Sequence, residues 1–154
     1  MRKNRLVSLI AGGGLAMMLG LAVYPGAGLA DGRVSVYKSP ACGCCTDWVD
    51  HLKENGFEVE VHETADMSQV KRDAGLSPAL ASCHTAFVDG YMIEGHVPAS
   101  DIRKLLEQAS DVKGLAVPGM PAGSPGMEMG DRQDAFQVLE FNAAGQTRVF
   151  ADYP

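Results

Sequence analysis

The chain has 154 residues, with 13 Lys and Arg against 19 Asp and Glu for a formal charge of −6, and it holds 4 cysteines, 8 methionines and 18 glycines. The acidic balance argues against a nucleic-acid binder, which needs clustered Lys and Arg to meet phosphates. A single long apolar run, confined to the N-terminus, argues against a multi-span membrane protein.

Residues 1–30 read as a secretory signal. Arg2, Lys3 and Arg5 open it, an apolar run follows from Leu6 to Val23, and Gly28-Leu29-Ala30 closes it, predicting cleavage after Ala30. An uncleaved anchor is the alternative, but four glycines in the run and the Pro25-Gly26 break favour cleavage. Removal leaves 124 residues, ten basic and nineteen acidic, with a net charge of −9. That size suits one domain with its own core. All four cysteines survive processing and three lie within four residues. Such crowding is poor stapling and points to a reactive or metal-binding site.

Arg33 to Tyr37 alternates, with Val34 and Val36 on one face, as a strand does. From Cys44 to Asn55 the pattern is helical: Cys45, Val49 and Leu52 share a stripe, Trp48 lies beside it, and Gly56 stops it. Phe57, Val59 and Val61 form a second strand. Asp66 to Ala74 reads as a short helix capped by Asp66 or Ser68 and stopped by Gly75, followed by a loop from Leu76 to Ser82. Thr85–Val88 and Tyr91–Glu94 flank Asp89-Gly90, a strong hairpin signal. Ser100 is the expected cap of a last helix, Asp101 to Ala109. The order β-α-β-α-β-β-α is that of a small α/β domain with helices on a mixed sheet. Gly114 to Gly130 packs five glycines, three prolines and three methionines into seventeen residues, which reads as function or disorder rather than a connection. Ala135–Phe141 and Gln146–Tyr153 form a closing β-hairpin. The organisation expected is a signal at 1–30, a thioredoxin-like domain at 31–113, and a Pro/Gly/Met-rich extension at 114–154 packed on the same domain.

The chemistry centres on Ser39-Pro40-Ala41-Cys42-Gly43-Cys44-Cys45, where a strand meets a helix. Cys42 falls at the helix start, where free N–H groups and the helix dipole stabilise a thiolate. Cys45 follows three residues on and is the more buried of the two. Strand, C-x-x-C and helix in that order are what thioredoxin-like redox proteins use. Cys44 separates the readings. A third thiol can capture the wrong mixed disulfide in a dithiol enzyme, but it adds a ligand for a soft metal. Three sulfurs on one helix turn diverge, which suits bridging several ions. Three inert core cysteines are the bland alternative, disfavoured by Gly43 and the helix-start position.

Cys83 and His84 precede the third strand. If Phe87-Val88-Asp89-Gly90 aligns with the Phe-Ile-Asn-Gly stretch of glutaredoxins, His84 takes the slot of the cis-proline that faces the C-x-x-C. Adjacent side chains in an extended segment point apart, so one of the two faces the site; Cys83 is preferred and His84 stays a candidate. A buried, inert thiol is the plain reading of Cys83. His96 ends the fourth strand near the same edge, as a ligand or as a capping or surface histidine. His51 and His62 read as exposed. Met120 and Met127, held among glycines and prolines, offer thioethers that favour Cu(I) or Ag(I); Met129 is a weaker candidate, and Met67 and Met92 read as structural.

Cys-Gly-Cys-Cys after Ser-Pro-Ala, Ser82-Cys83-His84-Thr85, the stretch from Gly90 to Ala99 (GYMIEGHVPA), and that from Val117 to Glu128 (VPGMPAGSPGME) together resemble the CopG-type family of periplasmic copper-resistance proteins, formerly a domain of unknown function. The match spans nearly all of the mature chain. The resemblance implies a monomeric, thioredoxin-like periplasmic protein of copper and silver resistance, acting with a periplasmic efflux system. It implies a cysteine-bridged copper cluster on the C-x-C-C cysteines, with the C-terminal extension contributing, and interconversion of Cu(I) and Cu(II). Carried over, Cys42, Cys44 and Cys45 match that motif, Cys83 the later cysteine, and Met120 and Met127 lie in the matching extension.

The leading reading is therefore a protein that holds copper with Cys42, Cys44, Cys45 and Cys83, helped by Met120, Met127, His84 and His96. A copper-dependent oxidoreductase is one form of it. The alternative is a thiol–disulfide oxidoreductase in which Cys42 attacks and Cys45 resolves. A structural zinc site is weaker, since a second C-x-x-C pair is lacking.

Overall fold

The computed structural model describes residues 32–154; the expected signal at 1–30 lies outside them. Seven strands form one mixed sheet in the order β2-β1-β3-β4-β5-β6-β7. In chain order these are β1 (Val34–Lys38), α1 (Gly43–Glu54), β2 (Val59–Glu63), α2 (Met67–Asp73), a 3₁₀ turn (Pro78–Leu80), β3 (Thr85–Val88), β4 (Tyr91–Glu94), α3 (Ala99–Gln108), β5 (Gly114–Ala116), β6 (Phe136–Phe141) and β7 (Thr147–Tyr153). β1 pairs in parallel with β2 and antiparallel with β3, the β3–β4 hairpin turns on Asp89-Gly90, and β6 and β7 close the sheet as a hairpin. The expected α/β architecture is present.

Period-two alternation puts successive side chains on opposite faces, and the core divides accordingly. Val34, Val36, Ala86, Val88, Ile93, Leu115 and Val138 pack on one face against Trp48, Val49 and Leu52 of α1 and Ile102 and Leu105 of α3. Met92, Ala116 and Phe141 meet Leu76 and Leu80 on the other. The α1 stripe is as its spacing predicts, with Cys45, Trp48, Val49 and Leu52 buried.

Three expectations differ from the structure. The run Gly114–Ala116, read as the start of the Pro/Gly-rich stretch, is a strand: it pairs in parallel with Met92–Glu94 and antiparallel with Leu139–Phe141. A Cβ at Gly114 would sit 1.7 Å from the Met92 carbonyl oxygen, so only glycine fits this approach. Ser100 does not cap α3, which begins at Ala99 after Pro98 with no side-chain cap from Pro98. The cap comes from α1 instead, since the Ala99 N–H donates to His51 Nε2 at 3.1 Å. His51 is thus half-buried rather than exposed. Among the described residues no helix is long and apolar enough to cross a membrane.

Candidate metal centre

Cys42 is the residue at the N-terminal boundary of α1, in extended geometry, so the helix begins within the C-x-C-C motif. Cys45 lies one turn further in and is fully buried, while Cys42 and Cys44 are partly exposed. Cys42 and Cys45 form a disulfide, with their Cα atoms 5.3 Å apart, and Cys44 and Cys83 are free thiols. Cys44 Sγ lies 3.5 Å from Cys42 Sγ.

The fourth sulfur arrives from the segment before β3. The four sulfurs of Cys42, Cys44, Cys45 and Cys83 all lie within 4.8 Å of one another. A second group shares one member: ring nitrogens of His84 and His96 and the Cys83 sulfur also lie within 4.8 Å of one another. Cys83 Sγ is 3.1 Å from His96 Nε2 and 3.4 Å from His84 Nδ1. The other nitrogen of His96, Nδ1, donates to the Pro125 carbonyl at 2.8 Å. A carbonyl only accepts, so the proton sits on Nδ1 and the Nε2 lone pair faces the Cys83 thiol.

Both imidazoles are fully buried. His84 lies against Trp48, with ring centroids 4.3 Å apart, and meets His96 edge-on at 5.0 Å. Its Nε2 is buried with no hydrogen-bond partner among the described residues. Burial holds both histidines below the usual range; His96 and Lys71 add to the effect on His84. Burial, with Cys44 beside it, pushes the Cys83 thiol up to about 11. Near neutral pH the metal-free protein therefore holds Cys83 protonated and both imidazoles uncharged. A cation that binds there must displace that proton.

The extension is anchored to this pocket. A Cβ at Gly126, where φ is +79°, would lie 2.6 Å from Trp48 N and 2.8 Å from the Cys44 carbonyl oxygen. Beside it, Pro125 holds His96, and further back Ser82 Oγ donates to the Gly119 carbonyl. Trp48 Nε1 donates to the Val97 carbonyl at 2.9 Å, tying α1 to the loop after β4.

The sequence candidates thus divide. Cys42, Cys44, Cys45 and Cys83 come together, and His84 and His96 join through Cys83. Cys83 is the member of its pair that groups with the α1 sulfurs, while His84 reaches them only through its contact with Cys83, and His96 is buried rather than a surface group. Met127 is half-buried, one residue beyond the Gly126 contact, whereas Met120 is 54% exposed and Met129 59%. Sequence reasoning missed Trp48 and Pro125, which set the two imidazoles; a tryptophan on a core stripe and a proline in a loop carry no signal of that role.

Residues 80–127 match the model of a family described as a protein of unknown function, DUF411. No curated protein matches. Two solved structures of a copper resistance protein CopG are similar to the chain. Form 2 is 54% identical, covering 80% of this chain and 98% of its own with a TM-score of 0.76. Form 1 is 56% identical, covering 79% and 97% with a TM-score of 0.75.

Proposed function

Since the chain belongs to the CopG copper resistance family, we propose that it is a copper-binding protein of metal resistance which holds Cu(I) in a cysteine-bridged cluster. The observation that carries this reading is the convergence of four sulfurs from two distant stretches within 4.8 Å. Thiolates select soft ions such as Cu(I) and Ag(I). Cys42, Cys44, Cys45 and Cys83 are the proposed sulfur ligands, His84 and His96 supply imidazole nitrogen beside Cys83, and Met120 and Met127 close over them from the extension. The proposal includes a thioredoxin-like domain at 31–113 carrying the extension at 114–154, export by the signal at 1–30, a monomer in the periplasm, and delivery to an efflux system.

The disulfide bears on how the ligands become available. Reducing the Cys42–Cys45 bond takes two electrons and two protons and yields two thiols, which lose their protons to the incoming metal. In the reverse direction, oxidation of that dithiol supplies two electrons, enough to reduce two Cu(II) to Cu(I). Reduction of Cu(II), with release of the two thiol protons, is thus the direction of interconversion that this dithiol supports.

Anaerobic Cu(I) titration of the reduced protein tests the reading. Several equivalents should bind, and Cys44→Ser should lower the stoichiometry; unchanged loading would remove the third thiol from the account.

One observation favours a second reading. A half-exposed Cys42 bonded to a buried Cys45 is the attacking and resolving pair of a thiol–disulfide oxidoreductase. That reading expects turnover of disulfide substrates by metal-free protein, surviving Cys44→Ser and Met120→Ala, and absence of turnover counts against it.

A further inference from the structure

Beside the segment that carries Cys83 lies an ion pair that metal ligation leaves unused, its carboxylate fully buried and its lysine partly so. Glu94, the last residue of β4, is fully buried. Its Oε1 accepts from Lys71 Nζ of α2 at 2.5 Å and from the Ser82 backbone N–H at 2.6 Å. Its Oε2 accepts from Thr85 Oγ1 at 2.7 Å, and Lys71 Nζ donates to the same hydroxyl at 2.9 Å. The carboxylate therefore grips the residue before Cys83. On the other side, the His84 carbonyl accepts from Gly95 N at 3.1 Å, and the Glu94 carbonyl accepts from Val117 N at 3.0 Å.

Cys83 is the one sulfur of the four that α1 does not carry, so its place depends on what holds residues 82–84. A buried ion pair is a poor source of net stability, because well-packed apolar residues of the same volume serve as well or better. Its value lies in fixing a geometry, and a metal site tolerates little error in ligand position. We infer that Glu94, held by Lys71, is the positioning residue for Cys83, fixing its sulfur at the corner shared by the four-sulfur and the Cys-His-His groups. The metal part of this inference rests on the copper-binding reading above; the placement of Cys83 does not.

The test follows alkylation of Cys83 by iodoacetamide in metal-free protein, resolved by peptide mass spectrometry, alongside the Cu(I)–thiolate absorption of loaded protein. In Glu94→Gln and in Lys71→Met, alkylation should quicken by about tenfold as the segment opens locally. Their Cu(I)–thiolate absorption should fall to that of Cys83→Ser. Lys71→Arg, which keeps the cation, should restore wild-type behaviour in both. Tyr153→Phe deletes a hydrogen bond to Asp101 between β7 and α3; it should lower stability and leave Cys83 alkylation unchanged. Wild-type alkylation in folded Glu94→Gln, or an equal rise in Tyr153→Phe, overturns the inference. Should Glu94→Gln fail to fold, the same outcomes in Lys71→Met decide it. A wild-type protein that takes up no Cu(I) defeats the copper reading, while the alkylation rates still judge the positioning role.

Discussion

The sulfur of Cys83 lies 3.1 Å from Nε2 of His96, a ring whose other nitrogen is committed to the Pro125 carbonyl at 2.8 Å. One thiol thus faces the sulfurs at the start of α1, an imidazole after β4, and, through that imidazole, the C-terminal extension. Soft sulfur and harder nitrogen donors meet at a single atom. If copper binds here as proposed, thiolate and imidazole donors would both lie within reach of it at this corner.

The metal-free protein should have a bounded pH range of stability. His84 and His96 are held neutral by burial below the ordinary histidine value of 6.5. The unfolded chain binds those protons first as pH falls, so stability present above about 6.5 is lost on acidification toward the folded values. Cys83 is raised from 9.0 to about 11. Its contribution is complete below pH 9 and is lost as pH climbs through the folded value. Urea unfolding of metal-free protein with the Cys42–Cys45 disulfide intact, across pH, should show losses at both ends. His84→Gln should weaken the acid limb, and an unaltered acid limb in that variant would remove His84 as its source.

His96→Ala should loosen the extension as well as the pocket. It leaves a cavity and an unpaired Pro125 carbonyl, together costing about 2–4 kcal/mol. Limited proteolysis should cut residues 119–127 faster than in wild type. Cleavage at the wild-type rate, with the stability loss intact, would show that this hydrogen bond does not anchor the extension.

Much of this was legible in sequence. Thr85–Val88 and Tyr91–Glu94 are read to the residue because Asp89-Gly90 punctuates clear alternation. The C-x-C-C motif sits at the helix start because the α1 stripe begins at Cys45. β5 was not legible: three residues are too few for a period, and its strand character comes from β4 and β6 on either side. Nor was the role of His51. Helix spacing reads it as outward, but what lies outward is the uncapped start of α3. The Lys71–Glu94 pair spans 23 residues and exists only because α2 lies beside β3 and β1. Pairings of that kind follow from tertiary packing rather than from local pattern.

Gly126→Ala should be among the most damaging substitutions in the extension. The new Cβ would meet the Trp48 amide and the Cys44 carbonyl, both backbone and unable to give way, at a φ of +79°. A loss of about 1–3 kcal/mol is expected, with slower or weaker metal uptake because the strap no longer lies on α1. Gly130→Ala is the matched control. It shares a positive φ of +62° but has open space around its Cβ, so only the backbone strain remains, about 1 kcal/mol. Equal losses in thermal unfolding for the two would mean that contact with α1 contributes nothing.

Met120 and Met127 should separate metal binding from folding. Met120 is 54% exposed and Met127 half-buried. Met120→Ala should leave metal-free stability within about 0.5 kcal/mol of wild type, as surface changes do. Met127→Ala should cost more, about 1 kcal/mol, through lost packing. If both thioethers close over the cluster, each variant should weaken Cu(I) and Ag(I) binding in competition with a chromophoric chelator, Met120→Ala doing so with no stability change to explain it. Wild-type affinity in Met120→Ala would remove Met120 from the ligand set and leave the extension's contribution to Met127.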